Sequence, residues 1–433
     1  MKHATGWRPT PAHLRAVLGS VLLCAVGVLA RRPDLLVIVS PLAATAVWAI
    51  IVRPTCVPTV TEQVGHLTLR EGEATTCRAH VEDPEGRVED VAVVFECSEM
   101  IDQQPEHGQV VVSLPDDGSE PLQAVIRPRR WGTHRVRPAL VVASSGWNGF
   151  RCESQKWSVI RELVALPHPA PFDATAPAVH TPGLIGGNRS PHHGGGTEFA
   201  TVRPFQPGDR LRRIHWVESL RSGTLHVTST WADHDRNVVL LVDAFEEVGI
   251  SGGVDGDTSS LDIAVRAAAA IAEHYITSGD RVAVVPLGAG MARRLPPASG
   301  RGHLRRILEV LARIEPADSL VDTGRIPHGL GRGALIIVLS PLLSAGSQQR
   351  LAAIADHGYN VVAIDCLPAL IGQQQPPGAH AAIAWRITRL EREARLRRVS
   401  AAGIAVVPWH GPGSLDPVLR GLHRRTSPSV RQP

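Results

Sequence analysis

The chain has 433 residues, enough for two or three domains with separate cores. Its 45 basic and 41 acidic residues leave a net charge of +4, too mild to argue for a nucleic-acid partner. Lys occurs only at Lys2 and Lys156, neither after a glycine, which excludes a phosphate-binding Gly-Lys-Ser/Thr loop and leaves almost nothing for Schiff-base chemistry.

Residues 1–53 read as a transmembrane hairpin. Residues 16–30 and 35–52 are apolar runs, the second broken only by Ser40, Pro41 and Thr45. The second has the length that hydrocarbon requires, and the first reaches it if Arg15 and Arg31 extend toward the surface. Arg31-Arg32-Pro33-Asp34 is a tight polar turn between them. A cleaved signal peptide is the rival for the first run, but its removal leaves the second span in place. Lys2, Arg8, Arg15 and Arg53 flank one side and only Arg31 and Arg32 the other, which puts both termini and the bulk of the chain in the cytoplasm.

The 6 Cys include no Cys-x-x-Cys pair and no spacing with His that suits zinc. They read as small buried hydrophobes. A Cys77–Cys97 disulfide requires an oxidising compartment.

Residues 54–166 carry short β-favouring runs separated by turn residues such as Asp83-Pro84-Glu85-Gly86, which suggests a small antiparallel sandwich. Trp131 beside Arg130 offers a cation–π contact. Residues 167–193, rich in Pro, His, Gly and Ala, read as a linker. His192 and His193 are adjacent, so in an extended segment their side chains point apart and do not pair on a metal.

Residues 194–236 concentrate the signal. They combine Gly194, Gly196, Glu198, Phe199, Arg203, Gly208, Asp209, Arg213, Ile214, His215 and Trp216 in one ordered run. This pattern resembles the domain of unknown function 58 family, bacterial proteins with a membrane hairpin and a von Willebrand factor A-like domain. His215 stands where that family more often has Asp. Read physically, Glu198, Asp209 and Arg213 suggest a buried carboxylate–guanidinium network with Trp216 packed over it, fixing one geometry. The same residues leave a catalytic alternative: Glu198, Asp209 and His215 as the centre of a metal-dependent hydrolase.

From 237 to 425 strands and helices alternate. Strands are expected at 237–243, 281–286, 334–339, 361–364 and 404–407, and helices at 261–277, 302–314, 348–356 and 388–401. Continuous apolar strands indicate an α/β domain with a doubly wound parallel sheet. Asp243 closes the first strand, where such sheets bind ligands. The resemblance implies a von Willebrand factor A-like metal site there. Phe245 and Glu247 replace two hydroxyl ligands, and Ser340-Pro341 lacks the third-loop Asp, so no cofactor is expected and Mg²⁺ at Asp243 would be a degenerate site. Arg386, Arg389, Arg392, Arg395 and Arg398 recur every third residue, a salt-bridged face or a surface for anionic lipid. Residues 426–433 are a tail.

The expected function is a membrane-anchored, non-enzymatic adaptor. The resemblance implies a MoxR-type AAA+ ATPase as partner, in protein assembly or maturation. The rivals are the hydrolase and an extracytoplasmic adhesion-like module.

Overall fold

The computed structural model describes residues 6–113, 122–154, 160–172, 189–206, 211–233, 237–288, 293–316, 334–343, 345–357, 359–368, 379–411 and 413–417. The chain divides into two compact units, Met1–Ala165 and Leu166–Pro433.

The first unit opens with a short strand, β1 (Arg8–Pro9), and two helices, α1 (Pro11–Leu29) and α2 (Pro33–Val52). Thr10 caps α1 by accepting a hydrogen bond from His13 N, and Pro at the start of each helix supplies a pre-set φ where no N–H is needed. Both helices are long and apolar enough to cross a membrane, and Leu22, Val28, Ile38 and Ile50 face outward.

Ten further strands form the rest of the unit: β2 (Thr59–Val64), β3 (Thr68–Arg70), β4 (Thr75–Glu82), β5 (Asp90–Cys97), β6 (Ile101–Gln104), β7 (Gln109–Ser113), β8 (Leu122–Pro128), β9 (Gly132–Ser145), β10 (Phe150–Ser154) and β11 (Arg161–Leu166). One sheet runs β2-β4-β8-β6, the other β1-β10-β9-β11-β3, with β5 beside β9 and β7 beyond β5. Alternation along β4 turns Cys77, Ala79 and Val81 inward, where they meet Val91, Val93, Phe95 and Phe150 of the other sheet in one core. The expected sandwich is therefore present as two sheets on a shared core. Arg130 lies over the Trp131 ring, its guanidinium carbon 5.1 Å from the centroid. Cys77 and Cys97 are free thiols. Burial, reinforced by Cys77 and Glu96, pushes the Cys97 thiol up to about 12.

The helices are not a separate domain ending at residue 53. Trp7 and Ala49 belong to the sandwich core. Trp7 Nε1 donates to Cys56 O at 2.8 Å, and Thr10 N donates to Gly149 O at 2.9 Å. Below α2 the chain is held by Glu85, whose carboxylate accepts from Thr55 N and Cys56 N; these bonds, with one from the Thr55 hydroxyl as the largest, hold its carboxyl down at about 2.

The second unit begins with a ribbon, β12 (Arg189–Pro204) paired antiparallel with β13 (His226–Asp233), and a short helix between them, α3 (Trp216–Ser222). Residues 189–193, expected in a linker, thus lie in a strand; residues 173–188 lie outside the described residues. The described start of that linker also packs: Phe172 stacks on Trp409 with centroids 5.5 Å apart.

The α/β part follows: β14 (Asn237–Asp243), α4 (Ser260–Thr277), β15 (Arg281–Leu287), β16 (Leu295–Ala298), α5 (Arg301–Leu311), β17 (Leu335–Ser340), α6 (Ala345–Asp356), β18 (Asn360–Asp365), a helix at Ala379–Ala401 and β19 (Ala405–Pro408). The sheet order is β16-β15-β14-β17-β18-β19, parallel except for β16. Every residue of β14 and β17 is buried, as a sheet covered on both faces demands. Val239, Leu241, Ile336 and Val338 share one core with Leu351 and Ile354 of α6 and Val399 of the last helix. After β14 the chain first winds outward to β15 and β16, then returns to β17 on the other side. The sheet's switch point therefore lies between β14 and β17.

Candidate functional site

Asp243 ends β14 beside that switch point and is buried. Its Oδ2 accepts hydrogen bonds from Ser340 Oγ at 2.6 Å and Ser347 Oγ at 2.7 Å. Its Oδ1 accepts from Phe245 N at 3.1 Å, turning the chain out of the strand. Ser340 arrives on β17 and Ser347 on α6, so three elements converge on one carboxylate. Arg350, also on α6, is buried with its guanidinium carbon 4.9 Å from the Phe245 ring centroid. Burial pulls the Arg350 pKa down, and the nearby Asp243 opposes that shift. Gly288 lies against the same Phe245 ring; a Cβ there would come within 2.6 Å of it.

Glu247, next along the loop, accepts from Ser259 Oγ at 2.5 Å. Ser259 is also the N-cap of α4, exchanging hydrogen bonds with Asp262 in a capping box. Ser260 Oγ accepts from Val248 N at 2.9 Å and so holds the loop rather than a ligand.

These residues do not fit Mg²⁺. The ion needs about six oxygens with water or substrate completing the shell. Here Asp243 already takes two hydroxyls and an amide, and a buried cation, Arg350, lines the same small space. The space left beside Asp243, Ser347 and Arg350 is about 10 Å³, about one water. No cluster of three His, Cys, Asp or Glu suited to a metal occurs among the described residues.

The signature has a different character. The β12–β13 register slips between Gly194 and Phe199, both of which pair with Thr230, so the glycine run accommodates a bulge. Beyond Pro204 the chain makes a turn of 3₁₀ helix at Leu211–Arg213 and returns as α3, which ends at Gly223 with φ 68°. His215 caps α3, its Nδ1 accepting from Glu218 N at 3.2 Å. Arg203 Nη1 donates to Pro204 O at 3.1 Å. Trp216, expected over a buried ionic network, is instead 63% exposed. Phe199, Leu211, Val217 and Leu220 are exposed as well, and Arg213 is half-buried. Gly208, Asp209 and the side chain of Glu198 lie outside the described residues. The proposed hydrolase centre is thus represented only by His215, which is engaged as a helix cap.

Residues 201–369 match the family model of Protein of unknown function DUF58. The DUF58 segment includes most of the described signature and the α/β sheet through β18. Uncharacterized proteins of Mycobacterium tuberculosis and Mycobacterium bovis are 32% identical to the chain over 187 residues, 40% of its length. The chain spans 56% of the length of these curated relatives. Among solved structures, a cohesin module of a Clostridium perfringens family 33 glycoside hydrolase aligns at 15% identity and a TM-score of 0.21, over 26% of this chain and all of that one. The Escherichia coli adhesin FdeC aligns at 13% identity and 0.18, over 42% and 59%. Scores this low carry no argument about fold or activity.

Part of the basic stripe of the last helix is tied to the DUF58 segment. Arg392 pairs with Asp365 at 2.5 Å and its Nε donates to Pro341 O at 3.2 Å. Arg395 bonds Leu343 O and pairs with Glu391 at 3.1 Å. Two of the five Arg therefore hold the loop after β17 and the end of β18, and Arg389 pairs with Glu393 at 3.6 Å, in keeping with the salt-bridged reading of the stripe. Ser347 and Arg350 are the site residues that sequence reasoning missed, since no local pattern ties them to Asp243.

Proposed function

We propose that the chain is a membrane-anchored, non-enzymatic adaptor, whose von Willebrand factor A-like domain presents the signature ribbon and α3 as a protein-docking face. The exposure of Phe199, Leu211, Trp216, Val217 and Leu220 on that one substructure carries this reading. Large apolar side chains gathered in the open are characteristic of interaction sites, and Trp is enriched among the residues that dominate binding energy. The switch point between β14 and β17 supports the A-like comparison. The self-satisfied Asp243 cluster supports docking without metal. The two apolar helices support anchoring, and the excess of Arg and Lys on the side of the termini supports a cytoplasmic placement for both.

The partner proposed is an AAA+ ATPase of the MoxR type, acting in protein assembly or maturation. The test is co-purification of that ATPase with the detergent-solubilised full chain, compared with Trp216→Ala and Leu220→Ala. Retained capture by the folded double variant would remove the face from the proposal. Orientation is checked separately at Cys56, which is exposed at the foot of α2. An impermeant thiol reagent should leave it unlabelled in intact cells and label it in broken ones. Cys366 is fully buried, and burial pushes its thiol well above the ordinary value, so it reports on neither side.

A further inference from the structure

We infer that the turn between β9 and β10 is a membrane-surface element, seating the sandwich directly on the bilayer with Trp147 and Trp48 among the phospholipid headgroups. The inference rests on reading the hairpin as a membrane span. Given that, depth follows from geometry. Helix α2 has 20 residues, about 30 Å of rise and so about the full hydrocarbon thickness. A Cβ added to Gly146 would come 2.9 Å from Ala49 Cα, and one added to Gly149 would come 2.7 Å from Ala49 Cβ. The turn therefore touches α2 one turn short of its end at Val52, about 4.5 Å along the axis. That level is the boundary between acyl chains and headgroups.

What the turn presents there suits that boundary. Trp147 is 67% exposed, and its ring lies 6.5 Å from that of Trp48, itself half exposed. Indole rings prefer the interface, where the ring is shielded and the N–H stays wet. Trp147 also takes a left-handed backbone, φ 54°, which disfavours a large side chain. Packing within the sandwich does not offset that cost, because most of the ring lies outside it. The turn is held firmly: Trp147 N donates to Glu89 Oε2 at 2.8 Å and Thr10 Oγ1 to Asn148 O at 2.9 Å. Arg8 and Arg151 are cross-strand neighbours just below, and Arg53 lies over the Phe150 ring.

The experiment uses the full chain in vesicles of phosphatidylcholine and phosphatidylglycerol carrying brominated acyl chains. The chain has 9 Trp, so the Trp147 signal is taken as wild type minus Trp147→Phe, and the Trp48 signal likewise from Trp48→Phe. Val21→Trp, outward-facing at mid-helix, reports the span itself. The expected result is loss of about half of the Trp147 emission with bromines near the headgroup, and less with bromines near the bilayer centre. Val21→Trp should show the opposite order. If the Trp147 signal is untouched while Val21→Trp is quenched by deep bromines, the hairpin spans but the sandwich stands off the bilayer, and the inference is wrong. If Val21→Trp is not quenched, the span itself is wrong and the inference falls with it.

Discussion

The Asp243 cluster and the signature ribbon lie in the same unit and treat their side chains in opposite ways. Around Asp243, strand and helix bring two hydroxyls and an amide to one buried carboxylate. On the ribbon, aromatic and aliphatic side chains that would fill a core face outward. The carboxyl end of a central strand is where an α/β sheet usually keeps its chemistry. Here that end is filled by its own hydrogen bonds, and the exposed apolar surface lies on the ribbon.

The largest effect expected is from Asp243→Ala. It leaves two serine hydroxyls and the Phe245 amide without their acceptor inside a buried cluster, and each buried polar group so stranded costs about 1–3 kcal/mol. Denaturant unfolding of the detergent-solubilised chain measures it, and combination with Arg350→Met should be clearly sub-additive. A variant as stable as wild type would show that the carboxylate is kept for something other than bracing. Next in size is Ser259→Ala, which removes the cap of α4 and the donor to Glu247, for about 1–2 kcal/mol. On the ribbon the balance should reverse. Trp216→Ala and Leu220→Ala should change stability by about 0.5 kcal/mol or less, as exposed substitutions do, while abolishing ATPase capture. A large stability loss there would mean that the ribbon is covered in the folded protein. The smallest effect is none: Mg²⁺ titrated into the chain should give no saturable heat. Saturable binding lost in Asp243→Ala would show that Arg350 yields its place to a metal.

The α/β sheet was legible because β14 and β17 are unbroken apolar runs, and such runs have few alternatives once helices alternate with them. Strand β16 was not, because Leu295-Pro296-Pro297-Ala298 looks like a loop and becomes a strand only as an antiparallel edge, where proline is tolerated. The start of β12 hid behind His192, His193 and three glycines. At the candidate site, Asp243 was legible from its position after a strand. Its partners were not: Ser347 lies 104 residues away in sequence, and an Arg on an ordinary helix carries no mark of the carboxylate it will meet. Trp216 was misjudged for a related reason. Aromatic residues in an ordered run are usually core, and composition cannot distinguish a core face from an exposed one.

The contact between Ala49 and the two glycines bears on how the protein can be cut. Truncation near residue 54, the natural choice for a soluble fragment, removes Trp7 and Ala49 from the sandwich core together with β1 from the sheet edge. What remains would expose Phe150 and the outer edge of β10, a sticky edge rather than a trimmed domain. The anchor is also part of the wall, and expression of the sandwich requires keeping both.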